Sequence, residues 1–342
     1  MIDIPHSVTT PETRDANRPD LDALPVGLLS NPHSGRNRKQ LHTIQGIVAD
    51  HPGVHHRVTR SPGDVPAALA ELADKSVGIL AINGGDGTVA RVLGCLLQDA
   101  PFDRLPVVAL LPGGTTNMDV GDVGLRGSLQ GSVTRLCRWA DARHGRYRLL
   151  QRAVLRVVPG DGQPAVYGMF FGAGAIIQGI EYCRASVHTK GAGNAFGQGL
   201  TLVRALWGIV RDDRRFVQPV TVSVALDAAA PGPPQEELLL LVSSLERLSL
   251  GIHPYWGREA GPLHVSLVRQ GAAHFLRNVP ALLRGKPGRR TTPAAGYRSH
   301  NAGRICLAMD ATWTLDGEIY RAQRGNGPVT ISGSGPVTFL RL

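Results

Sequence analysis

The sequence is poor in aromatic residues and cysteine, and it contains no long apolar run. Only 5% of its 342 residues are aromatic. It therefore lacks the stacking platforms of single-strand nucleic-acid binders, and we expect no nucleic acid among its partners. None of its four cysteines pairs with another at metal-ligand spacing, which predicts reduced thiols in a cytosolic protein. No apolar run reaches the roughly 18 residues of a spanning helix, and the N-terminus has no signal-peptide pattern.

Positive charge and glycine are abundant instead. The formal net charge is +10, and 42 residues are glycine. Such a chain should bind anions, either nucleotides or an acidic membrane face. We therefore expect a cytoplasmic protein that is peripheral to the inner face of the membrane. The length favours two domains, since one hydrophobic core rarely serves more than about 250–300 residues.

Three short apolar runs in the first half are each followed by a polar loop, and helical patterns separate them. Continuously apolar runs of this length are typical of parallel strands buried on both faces. The loops then lie at the carboxyl ends of the strands, where open α/β sheets bind ligands. The runs and loops are "VGLLS" (26–30) with "SNPHSG" (30–35), "VGILAI" (77–82) with "NGGDGT" (83–88), and "PVVALL" (106–111) with "PGGTTN" (112–117).

Alternating apolar and polar residues dominate from residue 146 onward, which predicts antiparallel strands. We therefore divide the chain into a flexible arm (1–22), a Rossmann-like α/β domain with a parallel sheet (23–145) and a C-terminal antiparallel β-sandwich domain (146–342). Two amphipathic segments, 199–215 and 272–290, end in basic residues. They are either core helices with cationic last turns or docking elements for an anionic lipid surface.

The "NGGDGT" loop contains glycines that let the backbone come close to a ligand, and its N–H groups can bind phosphate oxygens. Thr88 is placed to cap the next helix or to contact phosphate. Asp86 is unusual here because a carboxylate repels phosphates. It either binds Mg²⁺, which bridges carboxylates and phosphate oxygens, or caps the following helix.

Three motifs together resemble those of a known family. "GGDGT" (84–88) resembles the signature shared by diacylglycerol kinases, sphingosine kinases, NAD kinases and phosphofructokinases. "SNPHSG" is similar to the N-P-x-S-G motif of the lipid-kinase branch, and "LDGE" (315–318) to its late D-G-E motif. The resemblance covers about residues 24 to 342. It implies an ATP- and Mg²⁺-dependent kinase that phosphorylates a hydroxyl of diacylglycerol, a sphingoid base or a related lipid, as a possible homodimer.

The resemblance also implies roles for individual residues. Glu318 matches the proton acceptor, with Asp316 beside it, and Asp86 matches the residue that orients Mg·ATP and contacts the metal. The implied nucleotide-binding residues are Asn31, Ser34, Thr59, Gly84, Gly85, Asp86, Gly87, Thr88, Gly114, Thr115 and Asn117.

Two positions depart from the family pattern. Met118 stands where the family commonly has aspartate, and Asp119 follows one place later. The segment around Glu259 lacks the Asp-Gly pair of a structural magnesium site, so we predict no such site. Two other functions stay open. One is a nucleotide- or lipid-binding protein without turnover. The other is a soluble-substrate kinase related to NAD kinases, although the chain lacks their Asn-Glu pair.

Overall fold

The computed structural model describes residues 21–115, 117–142, 145–177, 218–248 and 251–342. Residues 1–20 of the predicted arm, the amphipathic segment 199–215 and Cys183 lie outside the described residues. Leu21, at the end of the predicted arm, is buried in the core of the N-terminal half. No helix in the described part of the chain combines the length and apolarity needed to cross a bilayer.

The N-terminal half is an α/β domain with a parallel sheet in the order β2-β1-β3-β4, as predicted. Strands β1, β3 and β4 are buried along their whole length, which accounts for their apolar runs. The sequence analysis missed β2 because its "VHHRV" segment is polar and half-exposed at the sheet edge. The elements are β1 (Val26–Ser30), α1 (Asn37–Ala49), β2 (Val54–Val58), α2 (Asp64–Asp74), β3 (Ile79–Gly84), α3 (Asp86–Gln98), β4 (Val107–Pro112), α4 (Met118–Val123) and α5 (Leu129–Ala142).

The C-terminal half is rich in antiparallel strands, which confirms the fold class predicted for it. Its elements are β5 (Arg148–Val158), β6 (Val166–Gly168), β7 (Phe170–Gly174), β8 (Val220–Leu226), β9 (Gln235–Ser243), β10 (Leu263–Arg269), α6 (Phe275–Leu282), β11 (Tyr297–Ala302), β12 (Arg304–Met309), β13 (Ala311–Leu315), β14 (Glu318–Ala322) and β15 (Val329–Arg341).

One boundary in this half differs from the sequence prediction. The amphipathic segment 272–290 is helical only over α6, which contains Pro280 and ends two residues later. Proline lacks an N–H donor and its ring crowds the preceding turn, so a short helix is expected. The basic residues Arg284, Lys286, Arg289 and Arg290 therefore follow the helix instead of forming its last turn.

The last strand connects the two halves. Strand β15 pairs antiparallel with β5 and β12, and Phe339 pairs in parallel with Val108 of β4. The strands of both halves thus belong to one hydrogen-bonded sheet. The β13–β14 hairpin and the parallel strands of the N-terminal half are therefore parts of the same sheet.

Candidate active site

The "GGDGT" loop joins β3 to α3 through a tight glycine turn. Gly84 ends β3, Gly85 precedes the helix, and Asp86 is its first residue. A Cβ on Gly84 would lie 2.5 Å from the Cβ of Thr88, so only glycine fits. Thr88 is the third helical residue, and the prediction that it caps α3 is wrong. The loop leaves the positive end of the α3 dipole at the carboxyl edge of the sheet.

The "SNPHSG" loop holds the glycine loop in place. The Ser34 hydroxyl oxygen accepts a hydrogen bond from the Gly85 N–H at 3.1 Å. The Asn31 side-chain amide donates to the Thr88 hydroxyl oxygen at 2.8 Å. Buried Asn37 donates to the carbonyl oxygens of Asn31 and Asn83, at 2.7 Å and 3.0 Å. Asn31 and Ser34, which are predicted to bind the nucleotide, therefore also fix the shape of the predicted phosphate loop.

The third loop packs directly on the first. A Cβ on Gly114 would lie 2.6 Å from the Cα of Gly85, so the two backbones touch. Asn117 closes this loop, since its side chain accepts from the Gly114 N–H and donates to the Gly114 carbonyl, both at 2.8 Å. Asn117 is left-handed, with φ of 49°, a conformation that asparagine tolerates better than most residues. Thr115 packs against Gly35 of the "SNPHSG" loop. The predicted glycine loops thus meet at one edge.

The Asp86 carboxylate caps α4, although Asp86 itself lies at the start of α3. Its Oδ1 accepts the Met118 N–H at 2.9 Å. Burial raises the pKa of Asp86 to about 6, while hydrogen bonds from the N–H groups of Met118 and Asp119 act to lower it. The alternative that Asp86 caps the helix following its own loop is therefore wrong. The side chain ties the "NGGDGT" loop to the "PGGTTN" loop.

Asp119 is a buried acid that the sequence analysis did not select. Its side chain is fully buried, and neither carboxyl oxygen has a hydrogen-bond partner within the described residues. Burial raises the pKa of Asp119 well above its ordinary value, and the charges of Asp316 and Asp86 raise it further. The only sequence signal was its position, one place after the expected family aspartate.

The "LDGE" motif is the tip of the β13–β14 hairpin. Leu315 pairs with Glu318 across a two-residue turn in which Asp316 and Gly317 have φ of 47° and 88°. Positive φ at both central positions is the signature of a type I′ hairpin, for which Asp-Gly is a preferred pair. The Asp316 carboxyl oxygens accept the N–H groups of Met169 and Phe170. Burial, followed by the charge of Asp86, raises the pKa of Asp316 to about 8.

Glu318 reaches from this hairpin to the glycine loop. A Cβ on Gly87 would lie 3.4 Å from the Oε1 of Glu318. The other carboxylate oxygen, Oε2, accepts the Tyr320 hydroxyl at 3.1 Å. Tyr320 stacks on Trp313 with ring centroids 4.4 Å apart, and Trp313 stacks on Phe171 at 5.1 Å. An exposed carboxylate thus stands over the start of α3, fixed by a tyrosine that sequence analysis missed. The signal for it was present, since residues i and i+2 of a strand share a face.

Thr59, a predicted nucleotide-binding residue, and Glu259, where no metal site is predicted, lie apart from these contacts. Thr59 is buried just after β2, and its N–H donates to the Ser30 carbonyl at 2.9 Å. Its contact with a nucleotide stays a prediction. Glu259 pairs with His300 at 2.7 Å on the surface, and hydrogen bonding from His300 lowers the pKa of Glu259 to about 2.

The carboxylates at this edge could hold a magnesium ion only together with the phosphate oxygens of a bound nucleotide. Among the described residues, no three His, Cys, Asp or Glu side chains are arranged to hold a metal ion. Magnesium commonly takes one or two carboxylates together with phosphate oxygens and water. Neither carboxyl oxygen of Asp119 has a partner in the described part of the chain, and besides burial the charges of neighbouring carboxylates raise the pKa values of Asp119 and Asp316, which indicates a local excess of carboxyl groups. A cation bound with phosphates beside Asp86 would offset that excess.

Comparison with known proteins identifies the N-terminal half. Residues 25–145 match the family model of the diacylglycerol kinase catalytic domain. This part of the chain is therefore similar to a diacylglycerol kinase catalytic domain. The domain contains the three loops described above, while Asp316 and Glu318 come from the strands beyond it.

Individual relatives agree with this assignment. A stretch of 93 residues is 31% identical to a protein named "Probable lipid kinase YegS-like" from Serratia proteamaculans, over 27% of this chain and 30% of that protein. The match therefore spans about a third of that relative's length. Two Bacillus anthracis structures, of a diacylglycerol kinase and of a putative diacylglycerol kinase, superpose with TM-scores of 0.57 and 0.60 at 19% and 20% identity. Each alignment covers 92% of this chain and at least 95% of the other, so the fold extends beyond the catalytic domain.

Proposed function

We propose that the protein is a lipid kinase that transfers the γ-phosphoryl group of ATP, with Mg²⁺, to a hydroxyl of diacylglycerol, a sphingoid base or a related lipid. The diacylglycerol kinase catalytic domain at residues 25–145 supports the kinase class. The observation that carries the proposal furthest is the approach of Glu318 to Gly87 of the glycine loop. It brings a candidate proton acceptor to the place where the loops would hold phosphates.

The two glycine loops supply the positions for the nucleotide. Their backbones touch at Gly85 and Gly114, and the α3 dipole adds positive potential at the same edge. Backbone N–H groups and a helix N-terminus are the elements that usually bind phosphates in such crevices. Bound magnesium would neutralise phosphate charge beside Asp86. In this proposal the two glycine loops also hold the γ-phosphorus in line with the acceptor hydroxyl.

Glu318 performs the proton transfer in this proposal. As the lipid hydroxyl oxygen forms its bond to the γ-phosphorus, its proton moves to a Glu318 carboxylate oxygen and the bond to ADP breaks. A carboxylate within hydrogen-bond reach of the hydroxyl is suited to this step. The Tyr320 hydroxyl, which donates to Glu318 Oε2, limits the rotation of the carboxylate. Asp316 and Asp119 are buried, and burial raises their pKa values and so favours their neutral forms.

Met118 does not argue against turnover. The position contributes its backbone N–H to Asp86, and any residue other than proline supplies that group. The Met118 side chain packs against an apolar cluster to which both halves of the chain contribute. The departure from the family pattern therefore changes the side chain at position 118. It keeps the backbone hydrogen bond that joins the "PGGTTN" loop to Asp86 of the "NGGDGT" loop.

The lipid acceptor approaches from the β half in this proposal. Ile319 is next to Glu318 and is exposed although it is apolar. Phe170 lies in β7, and its N–H donates to the Asp316 carboxyl group. Leu276 on α6 is also exposed, and it precedes the basic residues that follow the helix. Apolar side chains beside cationic ones suit a peripheral position on an anionic bilayer. The predicted homodimer stays a prediction.

The proposal is tested by incubating the protein with Mg²⁺, γ-labelled ATP, NAD and an extracted lipid mixture. Label in the organic phase is the expected result. Label on NAD would support the soluble-substrate alternative. No transfer, with ATP or lipid still bound, would support a binding protein without turnover.

A further inference from the structure

A basic cavity lies on the outer face of α5, away from the glycine loops. Its volume is about 650 Å³, within the usual range of small-ligand sites. Helix α5 packs against α1, and Asp141 near its C-terminal end contacts His51, just beyond the end of α1. The cavity extends along most of the length of α5, from Gly131 to Ala142. Its lining residues are Gly131, Thr134, Arg135, Arg138, Trp139, Ala142, Gly145, Arg146 and Leu342.

The lining is cationic and contains no acidic side chain. Arg135 and Arg138 lie three residues apart on one face of α5, and Arg146 lines the same cavity from the start of the next segment. None of the three forms an ion pair with a carboxylate within the described ranges. Arg135 is held by a hydrogen bond from its Nη2 to the Arg126 carbonyl at 2.7 Å. Three exposed guanidinium groups without an ion-pair partner in the described part of the chain lie around one cavity, and they favour an anion with several acceptor oxygens.

Trp139 adds an aromatic side chain to the lining of the cavity. Trp139 is 5% exposed and meets the ring of Tyr147 edge-on, with centroids 6.1 Å apart. Together with Leu342 it provides an apolar surface beside the arginines. A ligand that fits both parts carries a phosphate group and a small organic portion.

We propose that this cavity, between α5 and the end of β15, is a second anion site that binds a phosphate-bearing ligand through Arg135, Arg138 and Arg146. The chemistry is shared by a phospholipid headgroup and by a free phosphorylated metabolite. The site is independent of the active-site proposal, since none of its lining residues belongs to the glycine loops or to the β13–β14 hairpin.

The test uses the full chain, Arg135→Ala/Arg138→Ala, and Arg104→Ala/Arg304→Ala as a control that removes the same charge at exposed surface positions. One arm measures binding of glycerol 1-phosphate by titration calorimetry. The other measures co-sedimentation with phosphatidylcholine vesicles that contain phosphatidylglycerol. The melting temperature of each variant shows whether it folds.

We expect the double variant to bind at least about tenfold more weakly, because removing one charge-assisted hydrogen bond has an effect of that order, while the control binds as the wild type does. Weakened binding in the vesicle arm alone identifies a headgroup site, and weakened binding of soluble glycerol phosphate identifies a metabolite site. Equal binding by wild type and variant, equal weakening in both variants, or no binding by the wild type would overturn the proposal.

Discussion

The carboxylate of Asp86 accepts a hydrogen bond from the N–H of Met118 at 2.9 Å. The side chain of Asp86, the first residue of α3, thus caps the N-terminus of α4, which begins at Met118. A carboxylate at a helix N-terminus is stabilised both by the hydrogen bond and by the helix dipole. The contact fixes the two glycine loops against each other, and it gives the aspartate of "GGDGT" a structural role beside the proposed magnesium role.

These two roles of Asp86 can be separated by two substitutions. Asp86→Asn keeps an oxygen that accepts the Met118 N–H but loses the negative charge. We expect a small change in stability and a fall in kcat of roughly 100-fold, the size seen when one preorganised electrostatic interaction is removed. Asp86→Ala also loses the cap, so its free energy of unfolding should fall by about 1 kcal/mol. Kinase assays and urea unfolding measure both effects, and equal kinetics for wild type and Asp86→Asn would limit Asp86 to capping.

The contact between the glycine loops predicts that Gly114→Ala is harmful. The new Cβ would lie 2.6 Å from the Cα of Gly85, and backbone crowding of this kind costs about 1–3 kcal/mol. Gly46→Ala is the matched control, because it lies inside α1 with nothing within 4 Å and should stabilise by about 0.5–1 kcal/mol. Urea unfolding and ATP titration measure the two variants. Wild-type stability and ATP affinity in Gly114→Ala would show that the loops are not packed as described.

The sequence predicted much of this site but not its internal contacts. The apolar runs before Asn31, Asn83 and Gly113 were enough to put three loops at one edge, because parallel strands align their carboxyl ends. The Asp-Gly pair before Glu318 fits the hairpin turn it forms. The Asp86–Met118 contact was not predictable, since it depends on two loops 32 residues apart packing together.

Other features were hidden by competing effects. Strand β2 is polar and lacks the apolar run that marks the other parallel strands. Helix α6 contains Pro280 and ends at Leu282, although the amphipathic sequence pattern continues beyond it. Asp119 has the sequence surroundings of a surface aspartate, yet its side chain is fully buried.

Tyr320→Phe tests how Glu318 is held. The substitution removes the hydroxyl that donates to Glu318 Oε2 and keeps the ring that stacks on Trp313. We expect kcat to fall about tenfold, as for removal of one hydrogen bond to a charged group, with no change in the KM for ATP or in the melting temperature. Tyr147→Phe, at an exposed tyrosine outside this site, is the control. An unchanged kcat in Tyr320→Phe would mean that Glu318 needs no such support.

The buried acid Asp316 should make stability depend on pH. Its folded pKa of about 8 lies above its ordinary value of 3.8. Between these two values the folded state holds a proton that the unfolded state has released, so stability falls as the pH rises through that range. Asp316→Asn resembles the protonated form and still offers an oxygen to the N–H groups of Met169 and Phe170. Its free energy of unfolding should decline less steeply with pH. A slope equal to that of the wild type would show that Asp316 is ionised in the fold.

The most direct measurement of the central claim compares Glu318→Gln with the wild type in the transfer of label from ATP to extracted lipid. Glu236→Gln, at an exposed glutamate of β9, is the control. The account predicts that wild type and control label the lipid, and that Glu318→Gln transfers almost none while it binds ATP with nearly unchanged affinity. Normal lipid labelling by Glu318→Gln would contradict the account, because no proton acceptor would then be needed over the glycine loop.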